Sequence, residues 1–331
     1  MSTPDCSASV SRQGWRNPAP ARTSASGSFD RLAKTACVLL LCAISAVALG
    51  AKTTAVLRSP IRLAVNSDDQ IAVTEFAQQK VLLLDARTLA VRSEIEVDGK
   101  PLGVAWGEDV LYVGNDTLGH VEIYGSNRSG KWALLGTLGD HDQPVPGPSD
   151  IAFDPLSGRI FVLSGGLNAV LVFSSTGSLL STIGAVADTA GCLRNPTALA
   201  VNAIAGELFV SDYGDPDFDE PPGVKIYAYD GSYLGAICGN SGQTGYEFSR
   251  PQGVATTEAG RILLADSLLG QILVFDRTSL LGVSSLGKYG TQPGELRLPL
   301  DVVVDADGEN VLVTNNRPGR IESFALQEEL P

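Results

Sequence analysis

Pro251-Gln-Gly-Val-Ala-Thr256 opens a run of three short apolar segments, which continues with Arg261-Ile-Leu-Leu-Ala-Asp266 and Gln271-Ile-Leu-Val-Phe-Asp276. The segments are rich in β-branched and aliphatic side chains, and Gly, Asp or Asn separates them, as is typical of β-strands joined by turns. A weaker apolar segment, Leu281-Gly-Val-Ser-Ser-Leu-Gly287, follows. We therefore predict four short strands over residues 251–287.

The same pattern occurs six times along the chain. Each copy opens with a proline, and the six prolines recur at intervals of 41 to 55 residues: Pro60, Pro101, Pro148, Pro196, Pro251 and Pro299. A period of this length indicates a repeat architecture, and repeated four-stranded units are typical of a β-propeller, whose blades surround a central axis. A small side chain stands four positions after each proline, where wedge-shaped blades would come closest: Ala64, Ala105, Ala152, Ala200, Ala255 and Val303. The sequence predicts an all-β, six-bladed propeller.

The two ends of the repeat region complement each other. The last copy stops near Phe324 without a fourth strand, while an additional strand-like segment, Thr53–Arg58, precedes the first proline. We predict that this segment completes the last blade and closes the ring, because closure removes an exposed sheet edge. The propeller would then span residues 53–326.

The repeats resemble the NHL repeat. The resemblance rests on the three segments of residues 251–276 and on a glycine run at Gly287, Gly290 and Gly294, and it extends over all six copies. Asn115 and Ser164 in the second and third copies depart from the acidic residue that is usual there. The resemblance implies a six-bladed β-propeller.

The residues before the propeller have a different character. Residues 1–35 are rich in Ser, Ala, Pro and Arg and predict a disordered basic leader. Residues 36–51 are uncharged and largely apolar, and sixteen residues are short for a hydrocarbon core of about 30 Å. They predict a signal peptide with small residues for cleavage near Ala48; the alternative is an N-terminal transmembrane anchor. Either way, we expect an exported propeller: periplasmic, extracellular or membrane-anchored.

The net charge limits the expected binding partners, and the cysteine content limits the expected disulfide bonds. The net charge is −13, and the basic leader makes the remainder more acidic still, so repulsion of phosphate backbones argues against nucleic acid as a partner. Membrane contact would come through an uncleaved N-terminal segment. Once the leader is set aside, Cys192 and Cys238 remain; in an exported protein they form a disulfide or stay free.

Candidate binding residues gather on one predicted face of the propeller. If each blade runs from inner to outer strand, the loops between second and third strands share a face with the connections between blades. The candidates on this face are Asp116, His120, His141, Tyr213, Asp215, Asp217, Asp219 and Glu220.

Two metal hypotheses arise from these candidates. Asp215, Asp217 and Asp219 alternate along the chain, as carboxylates of a calcium loop can; the alternative is a solvated acidic loop stiffened by prolines. His120 and His141 would hold zinc only with a carboxylate as third ligand; the alternative is two exposed loop histidines.

A polar residue also ends the second strand of every copy: Glu75, Asn115, Ser164, Asp212, Asp266 and Asn315. Six-bladed lactonases bind a catalytic metal near the channel mouth with such side chains. A polar side chain after a strand also fixes the following turn by accepting backbone N–H groups. Because the residue recurs in every blade, we interpret the set as structural.

These observations favour a non-catalytic binding scaffold for a protein, a peptide or a cell-surface polymer, with no catalytic residues and no required cofactor. The alternative is a metal-dependent hydrolase or lyase, lactonase-like or amidating-lyase-like, with its centre at the channel mouth.

Overall fold

The computed structural model describes residues 52–326 apart from 55–56, 140–142, 186–190, 240–241 and 243. Within these residues the chain forms six four-stranded antiparallel sheets, which we call blades 1 to 6. The predicted all-β, six-bladed propeller is confirmed. The leader and the predicted signal peptide or anchor, residues 1–51, lie outside the described residues, and those that are described contain no helix long and apolar enough to cross a bilayer.

The strands are numbered in chain order. Blade 1 contains β2 (Pro60–Val65), β3 (Gln70–Glu75), β4 (Lys80–Asp85) and β5 (Val91–Glu96), and blade 2 contains β6 (Pro101–Trp106), β7 (Val110–Asn115), β8 (His120–Ser126) and β9 (Trp132–Leu138). Blade 3 contains β10 (Pro148–Asp154), β11 (Arg159–Ser164), β12 (Ala169–Phe173) and β13 (Leu179–Ile183), and blade 4 contains β14 (Pro196–Asn202), β15 (Glu207–Asp212), β16 (Gly223–Ala228) and β17 (Tyr233–Cys238). Blade 5 contains β18 (Pro251–Thr256), β19 (Arg261–Asp266), β20 (Gln271–Asp276) and β21 (Gly282–Leu286), and blade 6 contains β22 (Pro299–Val304), β23 (Asn310–Asn316), β24 (Gly319–Ala325) and β1 (Lys52–Thr53). Two single 3₁₀ turns lie at Phe76–Gln78 and Pro216–Phe218.

The repeated proline marks the start of every innermost strand. In each blade it lies opposite the polar residue that ends the second strand, as Pro251 lies opposite Asp266 and Pro60 opposite Glu75. A register shift follows the proline directly. Because proline has no N–H to offer the ladder, it is tolerated at a strand start beside a bulge.

The N-terminal strand closes the ring. Lys52 lies opposite Ser323 and Thr53 opposite Glu322, so β1 forms the outer strand of blade 6. The predicted closure is confirmed. Beyond Thr53, the N–H groups of Thr54 and Leu57 also donate to β24, to Ile321 O at 3.2 Å and to Gly319 O at 2.6 Å. The backbone N–H of Arg58 then donates to the Glu75 carboxylate at 3.3 Å.

Apolar cores lie between neighbouring blades. Phe209 of blade 4 and Phe275 of blade 5 share one such core with Phe248 from the connection between them, and all three are almost fully buried. Complete burial of one such side chain contributes about 1.5–3 kcal/mol. The blades therefore stabilise one another, and the loops at their ends are held on a rigid frame.

Candidate functional site

One hydrogen bond recurs at the same end of the blades. The loop between second and third strands donates an N–H to the connection that leads into that blade, as from Gly165 to Gly147 O (2.8 Å) and from Ser267 to Arg250 O (3.1 Å). These loops and connections therefore share one face, as predicted. We call it the upper face; the turns after first and third strands form the lower face.

The six polar residues at the ends of the second strands anchor this face, and all are fully buried. Asp266 accepts four backbone N–H groups, from Ser249, Arg250, Leu268 and Leu269, at 2.8 to 2.9 Å. The side chains of the others likewise bind the backbone of these loops and connections. We call Glu75, Asn115, Ser164, Asp212, Asp266 and Asn315 the anchor residues. Their structural interpretation is confirmed.

The anchored loops expose apolar side chains at an equivalent position in four consecutive blades. In each of these loops the exposed residue directly precedes a residue with positive φ, such as Gly119 or Asn168. The four residues, which we call the apolar arc, are Leu118, Leu167, Phe218 and Leu269, with exposed fractions between 37% and 56%. Single exposed apolar residues are ordinary, but their repetition in the upper loops of four neighbouring blades makes them a candidate interaction surface.

The axis of the propeller is occupied by a buried arginine. Arg62 of β2 is 4% exposed, and its guanidinium contacts main-chain carbonyls of three other blades: Ser149 O (3.1 Å), Leu300 O (2.8 Å) and Thr197 O. Asp150 and Asp301 flank it at 3.8 and 3.4 Å. This axial cluster joins blades 1, 3, 4 and 6 across the centre.

Backbone N–H groups donate hydrogen bonds to both aspartates of the axial cluster. Asp301 accepts the N–H of Leu63 at 2.9 Å, and Asp150 accepts the N–H of Leu199 at 2.9 Å. A Cβ atom on Gly253 would lie 2.4 Å from the Asp301 Cα atom, so the neighbouring blade must offer glycine there. The axial cluster therefore lies where the blades approach one another most closely.

Below the axial cluster, the channel widens into a cavity of about 290 Å³. Its lining is mainly apolar and comes from all six innermost strands. The lining includes the six small residues predicted at the closest approach: Ala64, Ala105, Ala152, Ala200, Ala255 and Val303. Arg62 therefore separates the upper mouth from this lower cavity.

The axial cluster makes stability depend on pH. Burial raises the pKa of Asp301 to about 7. The positive charge of Arg62 lowers this pKa, whereas the negative charge of Asp150 raises it further. The folded protein thus holds a proton that the unfolded chain releases near pH 3.8. This contribution to stability is present below the unfolded pKa and is lost as pH rises toward the folded pKa.

We expect Asp301→Asn to become more stable relative to the wild type as pH rises from about 4 to about 7, because asparagine carries no charge to desolvate. Urea unfolding of both proteins across this range measures the difference. A difference that does not change with pH would refute the assignment.

The acidic insertion of blade 4 forms a closed loop. Asp215 pairs with Glu220 as an isolated bridge, and its carboxylate accepts the N–H of Asp217 at 2.9 Å. Glu220 contacts Lys225 at 3.0 Å. Asp217 and Asp219 are exposed. Within the described residues, no three His, Cys, Asp or Glu side chains converge in a way that could hold a metal ion, so the loop geometry gives the calcium hypothesis no support.

Tyr213 points toward the axis instead of into the acidic loop. Gln252 Nε2 donates to its hydroxyl oxygen, and Arg250 also hydrogen-bonds it. Burial raises the pKa of Tyr213 even though Arg250 and Arg62 oppose the shift. Its hydroxyl group therefore stays protonated at neutral pH and can donate a hydrogen bond at the channel mouth.

The other candidates of blade 2 lie apart. His120 Nε2 lies 3.7 Å from the buried Glu122, whereas Asp116 is exposed on the loop above. His141 lies outside the described residues, so the zinc hypothesis stays a prediction.

Of the two states that the sequence left open for Cys192 and Cys238, a mutual disulfide or no disulfide between them, the structure shows no bond between them. Cys192 is a free, buried thiol in the connection into blade 4, and its carbonyl oxygen accepts a hydrogen bond from Lys225 Nζ. Cys238 is disulfide-bonded but does not pair with it.

The comparisons with known proteins point to the fold and the repeat type. No protein-family model matches the chain. A human protein, E3 ubiquitin-protein ligase NHLRC1, is 27% identical over 129 residues; the match covers 39% of this chain and only 29% of the ligase. Hydrazine synthase from Kuenenia stuttgartiensis superposes with a TM-score of 0.58 at 13% identity, over 82% of this chain and 97% of that chain.

Proposed function

We propose that this chain, an NHL-type six-bladed β-propeller, is a non-catalytic scaffold that binds a protein or peptide through its upper face. The observation that carries the proposal is the apolar arc, which repeats one exposed position across blades 2 to 5. Its backbone is fixed by anchor residues, so little conformational entropy is lost when a partner binds, and such preorganisation favours affinity. A cell-surface polymer suits an apolar surface less well than a polypeptide does.

The proposal includes a location. The N-terminal segment of residues 36–51 would carry the propeller out of the cytoplasm, either as a cleaved signal peptide or as an anchor. Ubiquitin ligase activity is not part of the proposal, because the matching segment covers only 29% of that relative.

The hydrolase or lyase alternative gains no supporting observation. The catalytic centre of such an enzyme was expected at the channel mouth. There, the side-chain oxygen atoms of the buried anchor residues already accept hydrogen bonds from backbone N–H groups. At the axis, the carboxylates of Asp150 and Asp301 are already paired with Arg62.

We expect Leu118→Ser, Leu167→Ser and Phe218→Ser together to weaken partner binding at least about tenfold, because apolar contacts at the centre of an interface carry most of its energy. The measurement is quantitative affinity capture from the cells that make the protein, with the full chain as bait. The matched control is Leu156→Ser with Ile204→Ser, two lower-face residues that are 72% and 76% exposed. Partners captured equally by the triple variant, or lost with the lower-face control, would contradict the proposal.

A further inference from the structure

The upper face carries a ring of positive charge around its centre. In five of the six blades, one of the two residues before the first proline of the blade is basic, and none is acidic. We call these residues the basic rim: Arg58, Lys100, Arg194, Arg250 and Arg297. The whole chain has a net charge of −13, so this concentration of positive charge runs against the overall composition.

The fold brings the basic rim beside the apolar arc. The proline that follows each rim residue begins an innermost strand, so the rim encircles the upper mouth of the channel. Asp116, two residues before Leu118 of the arc, donates its N–H to Lys100 O at 2.9 Å. Ser267, two residues before Leu269, donates to Arg250 O at 3.1 Å. Basic side chains thus lie on the connections that lead to the axis, and apolar side chains lie on the loops hydrogen-bonded to these connections.

Two rim side chains, Lys100 and Arg194, lie on aromatic rings, and Arg194 also pairs with Glu220, whose carboxylate lies 3.6 Å from its Nε atom. Lys100 Nζ lies 5.1 Å from the centroid of the Phe76 ring, and Arg194 Cζ lies 4.1 Å from that of Phe218. Among the described residues, the exposed Arg250 and Arg297 make no salt bridge. Their positive charge is therefore available to a partner.

Resting on the proposed function, we infer that the partner segment is an acidic peptide with interspersed apolar side chains. Its carboxylates would meet the basic rim in charge-assisted hydrogen bonds, and its apolar side chains would cover the arc. A nucleic acid fits less well, because its phosphates would be repelled by the acidic surface outside the rim.

The test is fluorescence anisotropy of the full chain with a short labelled peptide of glutamate, leucine and serine. We expect saturable binding that weakens as salt rises from about 0.05 M to about 0.5 M. Arg250→Glu with Arg297→Glu should weaken it at least about tenfold. The matched control is Arg128→Glu with Lys131→Glu, which changes the net charge equally at an exposed turn of the lower face.

Two further probes, a glutamine-containing peptide and a single-stranded RNA, test whether the partner must be an acidic peptide. A peptide in which glutamine replaces every glutamate should bind at least about tenfold more weakly, and a labelled single-stranded RNA should not compete. Equal binding of the two peptides, equal effects of the two charge reversals, or tighter binding of RNA would overturn the acidic-peptide inference. If these tests fail while the triple arc variant still loses its captured partner, the scaffold proposal stands and only the partner chemistry is wrong.

Discussion

Arg62→Met should lower the free energy of unfolding by about 3–5 kcal/mol, the range expected when one partner of a buried ion pair is removed. The substitution leaves Asp150 and Asp301 buried without a cation, and both are about 5% exposed. It also removes hydrogen bonds to Ser149 O, Leu300 O and Thr197 O, which join three other blades to blade 1. The loss should therefore destabilise the whole ring and not one blade.

Equilibrium unfolding in urea at neutral pH measures this loss. Adding Asp150→Asn and Asp301→Asn to Arg62→Met should restore about half of it, because the neutral amides cost less to bury than carboxylates. The matched control is Arg128→Met, an exposed arginine on the lower face. If Arg62→Met were as stable as that control, the axial cluster would not hold the blades together.

Asp266→Ala should cost about 3 kcal/mol, because four backbone N–H groups lose their acceptor and water reaches only some of them. Two of these groups, from Ser249 and Arg250, belong to the connection into blade 5, and two, from Leu268 and Leu269, belong to its upper loop. The substitution should therefore loosen both segments of the upper face at once.

Asp276→Ala in the same blade is the appropriate comparison. Asp276 also ends a strand, but it is half-buried and accepts from Ser279 at one exposed turn, so its loss should cost about 1 kcal/mol. Thermal unfolding of both variants compares the two positions. Equal costs would mean that the anchor residues are ordinary turn residues.

The sequence was sufficient for the architecture because the repeat is constrained at several positions at once. A proline starts each innermost strand where the register shifts, a small residue lines the axial cavity, and an anchor residue ends the second strand. The closing strand was predictable from the missing fourth strand after Phe324.

The site was harder to predict because its residues vary among the repeats. Arg62, Asp150 and Asp301 all stand two positions after a proline, and glycine or alanine stands there in the other blades. The presence of charged residues at a position that is small in the other blades was the available signal. In the apolar arc, Leu118, Leu167 and Leu269 each stand three positions after an anchor residue. The acidic insertion interrupts this spacing in blade 4, where Phe218 stands farther along the chain. The state of Cys192 and Cys238 had to stay open because the number of cysteines says nothing about the distance between them.

The central claim is that the upper face binds a polypeptide, and hydrogen–deuterium exchange of the full chain with and without its captured partner tests it most directly. We predict slower exchange in the upper loops of residues 116–119, 165–168, 213–222 and 267–270. Exchange in the lower-face turns, residues 155–158 and 203–206, should not change. Protection confined to those lower turns, with the upper loops unaffected, would contradict the account.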